Sequence, residues 1–267
     1  MLRLSLQDLV LRVKICKLGE VEPTLLEALD APSSKNIRRA IDSLKEVKAL
    51  TNSENLTPLG MQLAKLPLDV FLGKLIIHGA FFKCLDASIS IAAILSSKSP
   101  FVNTMGSNTQ KDLARLSFKK GTVYTSRASR YGGRQRQFFT IPEEYDINSS
   151  NDVIVNAVIA WSFYPKLLTR EGKGWRNVAN NQAVTLHPTS VNKQTDASIK
   201  WLSYYHIMQG RNRNYNAFET NAVDDFAIAL LCGEAEFKVS RASKHSGKDY
   251  MELASNQIID VCRRSVN

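Results

Sequence analysis

Between Leu56 and Phe101 the chain reads LTPLGMQLAKLPLDVFLGKLIIHGAFFKCLDASISIAAILSSKSPF, and almost every residue of that run has an evident structural task. Thr57-Pro58-Leu59-Gly60 reads as a turn, and Met61–Leu68 as the second limb of a wing or a short helix. Asp69–Phe82 and Leu85–Ser96 are apolar segments of helical length with a tight joint at Lys83-Cys84. Leu72, Leu75, Ile76, Gly79 and Ala80 interleave large and small side chains, which suits close helix packing, and Ser97–Pro100 ends the pair. The run constrains this part of the chain to a small wing followed by a helical hairpin. It is not a membrane span, because Lys74, His78, Lys83 and Asp86 interrupt the apolar stretch Val70–Leu95.

The flanks extend that reading. Ser5–Lys17 places Leu6, Leu9, Val10, Val13 and Cys16 on one helical face. Pro23 starts a short helix containing Leu25, Leu26 and Leu29. A third helix, capped by Ser33 or Ser34, carries the stripe Ile37, Ile41, Leu44, Val47 and Leu50. Three helices followed by a wing make a winged-helix arrangement. Downstream, SSNDVIVNAVIAWSFYP from Ser149 reads as a capped helix bearing Val153, Val155, Val158, Ile159 and Trp161, ended by Pro165. From there Ala183–Leu186, Ser198–Met208, Asn216–Thr220, Ala227–Leu231, Glu236–Ser240 and Tyr250–Leu253 are strand-length runs, and Asn256–Arg264 is helical in pattern. That density of short strands predicts a small barrel of the OB type. The expected class is therefore α+β and multidomain: a winged helix at 1–71, a partial helical bundle at 72–165 and an OB-like barrel at 166–267.

Charge separates one segment from the rest. The net charge of +10 favours a polyanionic partner. Residues 105–142 hold eight Lys or Arg against one Asp, whereas residues 143–267 hold fourteen of each sign. Asp112–Lys120 reads as a short basic helix. Gly121–Thr140 has no acidic residue and no apolar period, and reads as an insert or loop. Cys16, Cys84, Cys232 and Cys262 are far apart, with no Cys/His ligand spacing, and read as buried reduced thiols. No signal peptide is expected, since Leu2–Val13 is amphipathic.

The order winged helix, helical bundle, small barrel resembles the C-terminal half of DEAH/RHA-type RNA helicases, and specific residues carry the likeness. LQDLVLRVKICKLGE and the helices after it resemble the opening of that half. Thr57-Pro58-Leu59-Gly60 through Ala64 and Leu66-Pro67-Leu68-Asp69 resemble the family's LTxLGxxLAxLPLD. Leu72-Gly73-Lys74, Cys84-Leu85-Asp86, Ile91-Ala92-Ala93 and Ser99-Pro100-Phe101 continue it. Val184–Val191 (VTLHPTSV) resembles the barrel's V-x-LHPSSV, and Phe226–Gly233 its PLALLLFGG strand. Two departures stand out. The two RecA-like motor domains have no counterpart in these 267 residues: no G-x-x-x-x-G-K-[ST] loop occurs, and Gly106–Lys111 lacks the second glycine. The longer helical stretch that the family has between SPF and the VNAVIAW-like helix is replaced by the basic insert.

The resemblance implies an accessory module of an ATP-dependent RNA helicase that grips single-stranded RNA and regulates the RecA motor. ATP and magnesium are then expected only in the absent motor domains, with no catalytic, cofactor or metal residue in this chain. His78, His187, His206 and His245 have no triad or ligand partner at the required spacing, and Asp224-Asp225 reads as a turn before a strand. By resemblance, His187, Ser190, Asn192 and Lys193 sit where the family's barrel loop meets RNA. Arg211 and Arg213 read as phosphate contacts in a loop. Arg127, Arg130, Arg134 and Arg136, interleaved with Tyr131 and Phe138, resemble an arginine-rich single-strand binder. Expected partners are single-stranded RNA, the motor domains and a G-patch-type or other protein activator, in the cytoplasm or nucleus and away from membranes. Two other readings stay open: an interaction module without RNA binding, and a winged-helix DNA-binding regulator. The second is disfavoured by Asp42 and Glu46 among Lys35, Arg38 and Arg39 on the would-be recognition helix.

Overall fold

The apolar stripes at helical spacing fold into one continuous core. The computed structural model describes residues 6–96, 141–172, 174–187, 190, 192, 199–210, 214–232, 242–245 and 248–251. Helices α1 (Leu6–Ile15), α2 (Val21–Leu26) and α3 (Ser34–Glu46) bury Val10, Leu11, Leu25, Ile37, Ile41 and Leu44 against one another. Ile37, Ile41, Leu44, Val47 and Leu50 are all buried, as the stripe predicts. Ser33 occupies the N-cap of α3 but its side chain makes no cap bond; its carbonyl accepts from Asn36 and Ile37 instead. The second helix starts at Val21, two residues before Pro23.

The wing is smaller than the sequence implies. A single antiparallel bridge, Leu50 to Leu56, stands for it. Thr57-Pro58-Leu59-Gly60 is the first turn of helix α4 (Pro58–Leu63), with Thr57 as its cap. Thr57 Oγ1 accepts from Gly60 N at 3.0 Å and lies 2.7 Å from the Lys48 carbonyl, to which it donates. Proline at the first helical position is preorganised for a helix as well as for a turn, so the same dipeptide serves both. Gly60 is required by close approach, because a Cβ there would stand 2.0 Å from the Ala49 carbonyl oxygen.

Helices α5 (Val70–Phe81) and α6 (Leu85–Ser96) form the expected hairpin. Asp69 caps α5 by accepting from Phe71 N. Lys83, at φ 56°, turns the chain while Cys84 N bonds back to Gly79 O, a helix-ending motif formed without glycine at the left-handed position. Residues 141–151, with a 3-10 turn at Glu143–Tyr145, pack on this joint: Asn148 Nδ2 donates to Phe82 O, and Asp146 Oδ1 accepts from Asp86 N. Helix α7 (Asp152–Phe163) follows, capped by Asn151, and leaves Val153 on solvent. Its buried Val155, Val158, Ile159 and Phe163 join the same core as α1–α6.

Beyond Pro165 the chain closes a five-stranded barrel: β1 (Leu167–Glu171), β2 (Gly174–Asn177), β3 (Ala183–Leu186), β4 (Trp201–Gln209) and β5 (Tyr215–Val223). The order around it is β1-β2-β3-β5-β4, antiparallel except for the β3–β5 pair, where Leu186 lies opposite Ala217. Leu168, Trp175, Val184, Leu186, Leu202, Tyr204 and Ala217 fill the interior. A further cluster joins Ala160 of α7 to Leu167, Trp201, Val223, Ile228 and Cys232.

The segment Ala227–Leu231 is a helix, not a strand. It belongs to α8 (Asp225–Leu231), and Asp224 caps it by accepting from Phe226 N at 2.8 Å. Asp224-Asp225 is thus a cap and first turn. Strands β1 and β2 are additions to the sequence reading, while β6 (Ala242–His245) and β7 (Lys248–Met251) pair as a separate ribbon. Cys84 and Cys232 are buried as expected, but Cys16 is exposed at the end of α1. No helix among the described residues is long and apolar enough to cross a membrane. The expected basic helix and insert, the Ser97–Pro100 stop, the Glu236–Ser240 strand, the Asn256–Arg264 helix and Cys262 lie outside the described residues.

Candidate nucleic-acid interface

The residues following β3 are held against β5 by a compact set of bonds. His187 N donates to Ala217 O at 3.0 Å, and Ser190 N donates to His187 O at 2.8 Å. The Ser190 and Thr220 hydroxyls are 2.8 Å apart. Asn192 is buried, and its Nδ2 lies 3.0 Å from both the carbonyl and the hydroxyl oxygen of Thr220. Of the three predicted residues described here, Asn192 therefore ties the loop to the barrel. His187 keeps its ring at the half-exposed surface, stacked on Phe218 with centroids 4.2 Å apart.

That stack is the end of a longer row. Phe218 lies opposite His206 in the β4–β5 register, their rings 5.9 Å apart. His206 is exposed and stands 4.9 Å from the ring of Tyr205, which in turn lies 5.6 Å from Phe163 of α7. Four rings, His187, Phe218, His206 and Tyr205, thus cross the β3–β5–β4 face and end on the helical body. Beside them Thr185 Oγ1 bonds the Asn216 side chain at 2.7 Å on an exposed part of the surface. A surface of half-exposed rings flanked by hydroxyls and amides can stack on planar bases and hydrogen-bond a sugar or phosphate.

The electrostatics of the row are set at its helical end. Lys166 places its Nζ 3.5 Å from the Phe71 ring centroid and 5.4 Å from that of Tyr205. Burial pulls its ammonium down to about 8, while Asp69 opposes the shift. His206 is exposed at its surface side, but the part of its ring packed against its neighbours loses enough solvation to lower it; Glu219 and Asp69 work against that and Lys166 with it. Tyr205 is pushed up by burial and by Asp69. At neutral pH the row therefore presents a protonated Lys166 at its end, a neutral phenol at Tyr205 and a His206 that favours its neutral form.

Lys193, Arg211, Arg213, Arg127, Arg130, Arg134 and Arg136 lie outside the described residues. Phe218, His206, Tyr205 and Lys166 had no assigned role in the sequence reading. His206 and Phe218 come together only through strand register, which no local pattern announces. The stretch VTLHPTSV covers β3 from Val184 and the residues that follow it toward β5.

Three family models match in chain order. They are a helicase-associated winged-helix domain at 40–68, a helicase-associated, ratchet-like domain at 69–139, and an oligonucleotide/oligosaccharide-binding fold at 155–235. This succession, with the closed barrel last, defines a helicase-associated accessory region. Among the curated relatives, the ATP-dependent DNA/RNA helicase DHX36 of Mus musculus is 29% identical over 87% of this chain. The chloroplastic DExH-box ATP-dependent RNA helicase DExH4 of Arabidopsis thaliana is 50% identical over 38% of the chain and 7% of its own length. The ATP-dependent RNA helicase dhx29 of Xenopus laevis is 44% identical over 43% of the chain and 9% of its own length. The three domains in this order, together with these relatives, support assignment of the chain to the C-terminal region of a DEAH/RHA helicase. The chain spans 28% of the length of the DHX36 relatives.

Proposed function

We propose that this chain is the part of an ATP-dependent RNA helicase that grips single-stranded RNA and regulates the motor. The observation that carries the reading is the row His187–Phe218–His206–Tyr205, which crosses the barrel and ends on the helical body. Bases stack on it, while Ser190 and the cations Lys193, Arg211 and Arg213 bond the backbone and Asn192 holds the loop. Arg127, Arg130, Arg134 and Arg136 add phosphate contacts from the insert. ATP and magnesium belong to RecA-like motor domains of the parent protein, and the reading assigns no catalytic, cofactor or metal residue to these 267 residues. A winged helix at 1–71, a ratchet at 72–165 and a barrel at 166–267 divide the labour, with a G-patch-type or other protein activator as partner.

The test is anisotropy with labelled single-stranded RNA and duplex DNA at two salt concentrations. RNA affinity is expected to fall steeply with salt, since each neutralised phosphate releases counterions. Replacing Phe218 by Ala is expected to weaken RNA binding by roughly tenfold, as the loss of one stacked base does. Absence of RNA binding at low salt sinks the reading in favour of an interaction module, and sequence-selective duplex binding favours a DNA-binding regulator.

A further inference from the structure

Lys166 stands where the chain leaves α7 and enters β1, and it bonds both sides of one short piece of β4. Its carbonyl accepts from Tyr204 N at 3.2 Å, and its Nζ donates to Tyr205 O at 3.0 Å. This is the point where the β4–β5 ladder is interrupted. Tyr204 pairs with Thr220 and His206 with Phe218, whereas the rung between them is skipped and Glu219 adopts a φ of 51°. A left-handed non-glycine residue within a strand is strained and persists only where its surroundings fix it. Lys166 supplies such a fixture from the opposite strand edge, and the cation–π contact with Phe71 anchors it to α5.

We propose that Lys166 is a positioning residue of the ring row: it clamps β4 at the interrupted rung against the helical body and so holds His206 and Phe218 in line with His187. The proposal rests on the RNA-gripping reading. Lys166 need not touch the strand; it acts through the backbone of Tyr205 and through its charge. The groups around it are Asp69 and, next to Asp69, Asp8 on the helical side, with Tyr205 and His206 on the barrel side and Glu219 acting on His206.

The experiment compares Lys166→Met and Lys166→Arg with the intact chain, measuring single-stranded RNA affinity between pH 7 and 9.5, thermal stability, and the titration of His206 by NMR. Lys166→Met is expected to bind about tenfold more weakly at pH 7, in line with the loss of a charge-assisted hydrogen bond and a cation–π contact. It is also expected to raise the His206 pKa, since the Lys166 charge lowers it. Lys166→Arg is expected to restore affinity and to abolish the intact chain's decline above pH 8, where the lysine discharges. A merely structural role moves stability but gives no pH-dependent loss of affinity that Lys166→Arg abolishes. Unchanged affinity in Lys166→Met, with Phe218→Ala impaired, overturns the proposal and leaves the RNA reading in place. Should Lys166→Met fail to fold, a pH decline that persists in Lys166→Arg overturns it. If the intact chain does not bind RNA, both fall.

Discussion

His78 shows how one buried side chain ties two helices and records pH. It is 4% exposed, stacks on Trp161 at 3.6 Å between centroids, and places Nδ1 3.1 Å from Ser162 Oγ. Ser162 already donates its hydroxyl proton to Val158 O at 2.6 Å, so His78 must be the donor and carries its proton on Nδ1. Burial, reinforced by the positive charge of Lys74, depresses its pKa to about 3. The unfolded chain binds a proton near 6.5 that the folded one refuses. Stability is therefore complete above pH 6.5 and is lost as pH falls toward 3, at about 1.4 kcal/mol per unit for one proton. Urea unfolding at pH 7, 5.5 and 4 is expected to show this slope. His78→Gln, which stays neutral and keeps a donor for Ser162, is expected to flatten it.

Among the elements, the α5–α6 hairpin rests on a glycine that packing alone explains. A Cβ on Gly79 would lie 2.1 Å from Ser88 Oγ and 2.4 Å from Ser88 Cβ. Ser88 is itself fixed, donating to Cys84 O at 2.9 Å. Gly79→Ala is expected to lower the unfolding free energy by about 1–3 kcal/mol, the usual cost of overpacking. Chemical denaturation checks this, and Ser88→Gly in the same chain is expected to recover part of the loss. The hairpin was legible in the sequence because its signals are local: two apolar segments of helical length, large and small residues interleaved, a tight joint at Lys83-Cys84. The wing was overestimated because Thr57-Pro58 opens a helix and a turn equally well. Helix α8 was misread because Asp225–Leu231 is an apolar run too short to reveal a period, and Asp224 decides the matter as a cap. The ring row was least legible, since residues as separate as His187 and Phe218 meet only once the barrel closes.

At the scale of the molecule, two lysines mark the seam between the helical core and the barrel. Lys74 of α5 is 6% exposed and lies near Glu46 at the end of α3 and Cys232 beyond α8; burial lowers it to about 8 against the opposing pull of both. Lys166 is lowered to about 8 at the other crossing, over Phe71. In the unfolded chain both titrate at the ordinary lysine value of 10.5. Between pH 8 and 10.5 the unfolded state thus binds more protons than the folded one, and stability rises with pH across that window. Tyr204 and Tyr205, both raised by burial, reverse the trend once the unfolded phenols ionise near pH 10. The melting temperature is therefore expected to climb from pH 8 to a maximum near pH 10. Lys74→Met is expected to raise stability at pH 7, because it removes the buried charge itself, and to raise the Glu46 carboxyl further, since the Lys74 charge lowers it. The same change is expected to take out part of the alkaline rise and leave the Lys166 share in place. A melting temperature that falls steadily from pH 8 upward contradicts a seam built over protonated lysines, and scanning calorimetry of the two proteins at four pH values decides it.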